Sequence, residues 1–344
     1  MTVTDFEFIC QILRDRSGLV LTNDKAYLLE SRLLPVARKW KLAGFDELVK
    51  AIRMRPDEAM VRDVVEAMTT NESFFFRDNK PFDQFKQLIL PALLKNRAAS
   101  KTIRIWSAAC SSGQEAYSLA MILAEAGPQL NGWKIDIVGT DISTEILTRA
   151  RDGMYSQFEV QRGLPITLLV KYFQQIGDRW QISQKIRNAV QYREFNLLGD
   201  PGALGRFDVV FCRNVLIYFD QPTKAKVLNG VAKQMPDDGF LILGGAETVL
   251  GLTDRFQLVP GQRGVYCIAG ADSKSSTAFP ATPRLPIPPA ASAGLAVPPG
   301  STGAMAVRPM ATPAVTAPAK PTTPGTPTSP TPPSPLSGLN IRKR

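Results

Sequence analysis

Four short stretches carry the residues with the most chemistry to offer. In the first, Asn71-Glu72-Ser73-Phe74-Phe75-Phe76-Arg77, polar groups sit among three consecutive phenylalanines. Polar groups in such apolar company need partners, and a polar ligand is one possible partner. The second runs from the alternating apolar segment at Ile103 through small residues and one glycine to Gln114-Glu115. It reads as a strand, a tight turn and a helix. Its small residues let a nucleotide-like ligand approach the backbone, and the helix N-terminus offers free N–H donors. The third, Val138-Gly139-Thr140-Asp141, ends an apolar run on a carboxylate placed to accept from two ribose hydroxyls. The fourth set, Phe195-Asn196-Leu197 and Cys212-Arg213-Asn214-Val215 with Tyr218 just beyond, adds two more polar run-ends. Each has a plain structural alternative: a turn that binds nothing, or an Asp141 that only caps the helix starting near Ser143. Four polar run-ends together weigh more than any one of them.

These residues need an α/β frame to bring them together. Apolar runs at 103–107, 134–139, 190–195, 207–212 and 239–244 read as strands, and 114–126, 143–151 and 222–235 as helices. This alternation predicts a mainly parallel sheet, with ligands held at the C-terminal ends of its strands. Segments 255–259 and 264–269, around Pro260-Gly261, predict an antiparallel hairpin at the sheet edge. Between 151 and 190 the alternation stops, and a short helix near 166–173 with a hairpin at Gly177-Asp178 reads as an insertion. Residues 1–70 predict helices. Thr4 and Glu7 form a capping box, Pro35 kinks or restarts a helix begun near Asp24, and others span 46–54 and follow Pro56. A further helix is expected from Pro81 to about Lys95. The basic cluster Arg32, Arg38, Lys39 and Lys41 reads either as a solvated helix face or as a docking face for an acidic partner.

Composition narrows the chemistry. The 344 residues contain no histidine, which excludes Ser-His-Asp and Cys-His catalysis and histidine-ligated metal sites. Four scattered cysteines suggest neither a zinc site nor a disulfide framework, so a reduced, cytoplasmic setting and no metal are expected. No signal peptide or membrane span is expected. Residues 271–344 hold 17 of the 27 prolines and seven Lys/Arg against one Asp, and predict a disordered Pro/Ala/Thr-rich tail. The net +10 therefore leaves only +4 on residues 1–270, too little to suggest a nucleic-acid partner. G-x-G-x-x-G is missing, which argues against a standard dinucleotide site. A single glycine suits a ligand without a pyrophosphate, such as S-adenosylmethionine.

The four stretches, in this order, resemble the chemotaxis receptor methyltransferases, the CheR family, over roughly residues 4–270. The resemblance implies a Rossmann-like S-adenosylmethionine-dependent methyltransferase sheet (102–270) with an inserted β-subdomain at about 153–190. A small all-α domain (1–75) precedes it, joined by a linker and helix (76–101). It implies methyl transfer to glutamate side chains on the cytoplasmic helices of methyl-accepting chemoreceptors, giving methyl esters. The protein would be a monomer that associates with membrane receptor arrays without inserting. Carried over by position, Asn71, Ser73, Arg77, Glu115, Asp141, Asn196, Leu197, Arg213 and Asn214 match cofactor-contacting residues, and Arg77 and Tyr218 match residues beside the transferred methyl. Ser73 stands where threonine is usual and keeps the hydroxyl. The short hairpin at 175–180 argues against tethering to a receptor's C-terminal pentapeptide. Two alternatives remain: a methyltransferase for another substrate, against which the missing Asn/Asp-Pro-Pro-aromatic motif and the low body charge count, and a non-catalytic adaptor.

Overall fold

The computed structural model describes residues 2–270. The proline-rich segment 271–344 lies outside the described residues. Among those described, no helix is long and apolar enough to cross a membrane.

The N-terminal part is helical. α1 (Val3–Ser17) turns Phe6, Ile9 and Leu13 inward and ends on Gly18 in the left-handed region (φ 76°). Its capping box is Thr2 with Asp5 rather than Thr4 with Glu7. The helix starts earlier than expected because Asp5, at the third helical position, reaches back to the Thr2 backbone. α2 (Ala26–Lys39) contains Pro35 yet runs on without the expected restart. An internal proline costs about 3 kcal/mol. Burial of Leu29 and Leu33 before it, and Val36 and Ala37 after it, holds both halves in one helix. α3 (Phe45–Met54) and α4 (Glu58–Met68) complete a core of α1–α4 side chains.

Two of the four basic residues on α2 and just after it are engaged within the molecule. Arg32 Nη1 donates to the Met68 and Thr69 carbonyls at 2.9 and 3.1 Å, and Lys39 pairs with Asp63 at 2.7 Å. Arg38 and Lys41 stay exposed.

The helix expected over 81–95 is broken into α5 (Lys80–Gln84), a π turn (Phe85–Ile89) and α6 (Leu90–Asn96). The Leu90 N–H donates to the Phe85 carbonyl, five residues back. Pro91, at the following position, has no N–H and its ring would strike a carbonyl in a regular turn, so the wider turn accommodates it.

The remaining elements are β1 (Thr102–Ala108), α7 (Gln114–Ala126), β2 (Lys134–Asp141), α8 (Thr144–Asp152), β3 (Met154–Ser156), α9 (Gln157–Gln161), α10 (Ile166–Tyr172), β4 (Phe173–Ile176), β5 (Arg179–Ile182), α11 (Gln184–Arg187), β6 (Val190–Glu194), β7 (Val209–Cys212), α12 (Gln221–Lys233), β8 (Phe240–Leu243), β9 (Phe256–Leu258) and β10 (Val265–Ile268). The main sheet has the order β6-β2-β1-β7-β8-β10-β9. The first five strands pair in parallel, and β10 and β9 run antiparallel at the edge. It is a Rossmann-like sheet. Ile103, Ile105, Val209, Phe211 and Ile242 fill one face beneath α5–α7, while Trp106, Val138, Val210 and Leu241 fill the other beneath α12. The insertion holds α10 where the short helix was expected and the β4–β5 hairpin around Gly177-Asp178, which β3 extends to a three-stranded sheet, β3-β5-β4. Its first strand has only three residues, too short to show alternation.

Candidate active site

The parallel register brings the ends of β1, β2, β6 and β7 to one side of the sheet, and a cleft opens there. All ten residues singled out from sequence, Asn71, Ser73, Arg77, Glu115, Asp141, Asn196, Leu197, Arg213, Asn214 and Tyr218, line it. They come from segments far apart in the chain.

β2 ends at Asp141, which is buried. Its Oδ2 accepts the Ser111 N–H at 2.9 Å and its Oδ1 the Ser143 N–H at 3.1 Å. An ionised carboxylate has about four acceptor positions, so room remains for two ligand hydroxyls. Burial pushes the Asp141 carboxyl above its ordinary value, and the backbone N–H bonds from Ser143 and Ser111 oppose that rise. Helix α8 is capped by the Ser143 hydroxyl and by Glu66 of α4, which accepts from the Ser143 hydroxyl at 2.9 Å and the Thr144 N–H at 3.3 Å.

The turn after β1 is strained. Ala109 and Ser111 both take φ 52° and Gly113 takes 90°, and no side chain caps the first turn of α7. The small residues of this turn were expected to let a ligand approach, and Ala109, Cys110 and Ser111 line the cleft. Gly113 has another use: a Cβ there would collide with the Tyr192 hydroxyl, and one at Gly139 would lie 2.7 Å from the Tyr192 ring. Both glycines make room for a tyrosine of β6, and neither lines the cleft.

Glu115 and Arg213 engage each other. Arg213, buried, donates from Nη1 to Glu115 Oε2 at 2.9 Å and from Nη2 to the Arg77 carbonyl at 2.9 Å and Asp78 Oδ2 at 2.7 Å. The Ser107 hydroxyl donates to the other Glu115 oxygen at 2.8 Å. The Phe76–Asn79 turn that presents Arg77 contains three non-glycine residues at positive φ, namely Phe76, Asp78 and Asn79. Strain of this kind persists only where surrounding structure enforces it. Phe75 is fully buried against Tyr155 and Phe173 and anchors the turn. The Arg77 guanidinium lies over Phe74 and donates once, to the Glu72 carbonyl at 2.9 Å.

Asn196 lines the cleft, but its amide is directed to the N-terminal helices: Nδ2 donates to the Arg16 carbonyl at 2.6 Å. The Val20 N–H likewise donates to the Tyr218 carbonyl at 2.9 Å, and Ser17 and Leu19 become part of the cleft wall. These helical-domain contributions were missed because nothing in a helix-ending Ser17-Gly18-Leu19 marks a ligand site.

A further omission is Glu247. Its Oε2 accepts the Asn214 and Gly244 N–H groups at 2.8 and 2.7 Å, and its Oε1 those of Val215 and Leu216 at 3.0 and 2.8 Å. Four amides on one carboxylate fix the loop that carries Asn214 (φ 58°) and Tyr218. Its signal was available, since the end of β8, Gly244-Gly245-Ala246-Glu247, is a fifth polar strand end.

The cleft offers no ionised thiol. Burial, then Asp141 and Glu115, push the Cys110 thiol well up, and burial does the same to Cys212. Both stay protonated near neutrality. What the cleft does offer is a buried carboxylate with free acceptor positions, an arginine with uncommitted donors, a tyrosine, and an apolar wall of Ile142, Phe195 and Leu197. That set fits S-adenosylmethionine, which presents ribose hydroxyls, an amino-acid carboxylate and a flat adenine.

Comparison with known proteins agrees. Residues 71–265 match the family model for the CheR methyltransferase S-adenosylmethionine-binding domain, and residues 4–69 match that for the CheR all-alpha domain. The chain is 38% identical over 270 residues to Chemotaxis protein methyltransferase 1 of Vibrio cholerae, covering 77% of this chain and 97% of that one. It is 41% identical over 266 residues to Chemotaxis protein methyltransferase 1 of Pseudomonas aeruginosa, covering 76% and 96%. It is 39% identical over 265 residues to Chemotaxis protein methyltransferase Cher2 of Pseudomonas putida, again covering 76% and 96%.

Proposed function

The chain belongs to the CheR methyltransferase family, and from that premise we propose that it methylates glutamate side chains of methyl-accepting chemoreceptors, acting in the cytoplasm. The observation that carries this reading is the convergence of ten motif residues from five separate segments on one cleft.

Bound S-adenosylmethionine supplies an electrophilic sulfonium methyl. The glutamate acceptor is ionised at neutral pH, with an ordinary pKa of about 4.3, so it attacks without a general base. An oxygen–carbon bond forms as the carbon–sulfur bond breaks with its electron pair going to sulfur. The products are a methyl ester and the thioether S-adenosylhomocysteine. This suits a chain without histidine and with no ionised thiol in the cleft.

The protein's task is then orientation and exclusion of water, and orientation alone contributes about 7–11 kcal/mol in well-aligned systems. Asp141 accepts the ribose hydroxyls. Arg77 holds a carboxylate, the cofactor's or the substrate's, with the donors that Glu72 does not engage. Tyr218 donates a hydrogen bond beside the reacting oxygen. The Glu115–Arg213 pair forms a charge-balanced floor near the cofactor's zwitterionic end, and Asn71, Ser73, Asn196, Leu197 and Asn214 line the remaining contact surface. Mass spectrometry of receptor protein after incubation with the chain and S-adenosylmethionine tests the assignment. Methyl esters on glutamates support it, and methylation confined to lysine, arginine or N-terminal amines overturns it.

A further inference from the structure

A second groove, open to solvent and about 1400 Å³ in volume, lies beside the cleft at the ends of β8 and β10. Its walls include Lys80, Pro81, Gly244, Leu258 and Arg263. The ridge between groove and cleft is thin. On one side, Gly244 of the groove packs against Asn214 of the cleft so closely that a Cβ on Gly244 would lie 3.0 Å from the Asn214 backbone nitrogen. Glu247 Oε2 accepts both their N–H groups. On the other side, Arg77 lines the cleft and its neighbour Asp78 lines the groove, both fastened by Arg213 Nη2.

The groove's two cations and two carboxylates balance in charge, but the cations are the more available to a partner. Its two carboxylates are already engaged: Asp78 pairs with Arg213, and Glu247 is covered by four backbone N–H groups. Its two cations, Lys80 and Arg263, are exposed and form no ion pair among the described residues; Arg263 donates only to the Gly245 carbonyl at 3.3 Å. Leu258, 48% exposed, adds an apolar part to the groove's lining.

Resting on the proposed function above, we propose that this groove seats the segment of the substrate protein that flanks the methylated glutamate, and that the segment is acidic. A chain lying in the groove is about one side chain from the cleft, so a glutamate crosses the ridge between Arg77 and Asn214. Neighbouring carboxylates on the same segment meet Lys80 and Arg263. The groove thus selects among glutamates by their acidic surroundings.

The test uses the full chain and membranes carrying a chemoreceptor that the wild-type chain methylates. Lys80→Glu/Arg263→Glu is expected to raise the KM for receptor at least about tenfold, with kcat and the cofactor Kd within about twofold of wild type, because charge complementarity acts on encounter and binding. The milder Lys80→Gln/Arg263→Gln pair should shift KM in the same direction by less. Lys226→Glu, at an exposed position of α12, is the control and should leave KM unchanged. A KM within twofold of wild type for the charge-reversed pair, with cofactor binding intact, overturns the proposal. A wild-type chain that esterifies no receptor overturns the proposed function instead, so the two failures are distinct.

Discussion

Arg213 and Glu115 form a buried ion pair on the floor of the cleft, Nη1 to Oε2 at 2.9 Å, with side-chain exposures of 1% and 11%. Both were read from sequence as direct ligand contacts, yet each is first of all the other's partner. Removing Arg213 leaves Glu115 without an ion-pair partner, whereas removing Glu115 leaves Arg213 its pair with Asp78. Arg213→Ala should therefore destabilise the fold by about 3–5 kcal/mol. Glu115→Gln, which keeps an acceptor for Ser107 and leaves Arg213 its bond to Asp78, should cost clearly less. Urea unfolding of the two variants measures this, and equal losses would contradict the pairing.

Glu247 should behave as a positioning residue. Glutamine at this position offers one carbonyl oxygen to four backbone N–H groups, and each buried donor left without a partner costs about 1–3 kcal/mol. Glu247→Gln is expected to lower the melting temperature and to cut kcat at least about tenfold, the equivalent of about 1.4 kcal/mol of barrier. A variant with normal kcat would show that the 214–218 loop does not need this clamp.

In the ribose-binding role proposed for it, Asp141 should give the cofactor affinity a pH dependence of definite sign. Burial holds its carboxyl above the ordinary value, and a ribose hydroxyl donating to it favours the ionised form and lowers its pKa. Binding therefore releases a proton once the pH approaches the raised value. Affinity should fall as pH drops through that value and level off above it. Asp141→Ala should bind weakly and lose the dependence. Calorimetry across a pH series decides between this slope and a flat profile in the wild type.

Gly113 and Gly177 separate two uses of glycine. Both have positive φ, 90° and 62°, but a Cβ on Gly113 meets Tyr192 while nothing lies within 4 Å at Gly177. Gly177→Ala should cost only the backbone penalty of about 1–2 kcal/mol. Gly113→Ala adds a steric clash in a close-packed site and should cost more. Thermal unfolding of both variants checks the order.

Much of this was legible in sequence because the signals were strong and local. Alternating apolar runs located the five parallel strands, and polar residues at their ends located the cleft. What stayed hidden depended on tertiary contact. Pro35 was expected to kink or restart α2, and burial on both sides keeps it one helix. The clearance that Gly113 gives to Tyr192 needs the fold to be seen. So does the bond from the Asn196 amide to α1, made by a residue that also lines the cleft. The π turn at Phe85–Ile89 arises from the single Pro91 in an otherwise regular helical pattern.

The central claim is that this cleft makes glutamate methyl esters, with Arg77 holding a carboxylate beside the reacting methyl. The most direct measurement is incubation of the wild-type chain and Arg77→Ala with tritiated S-adenosylmethionine and chemoreceptor membranes, counting label released as methanol by mild base. Wild type should give base-labile label, and Arg77→Ala should lose at least about a hundredfold, the scale seen when a preorganised charge-stabilising donor is removed, while its unfolding curve stays normal. Base-stable label, or near-normal turnover in Arg77→Ala, would contradict the account.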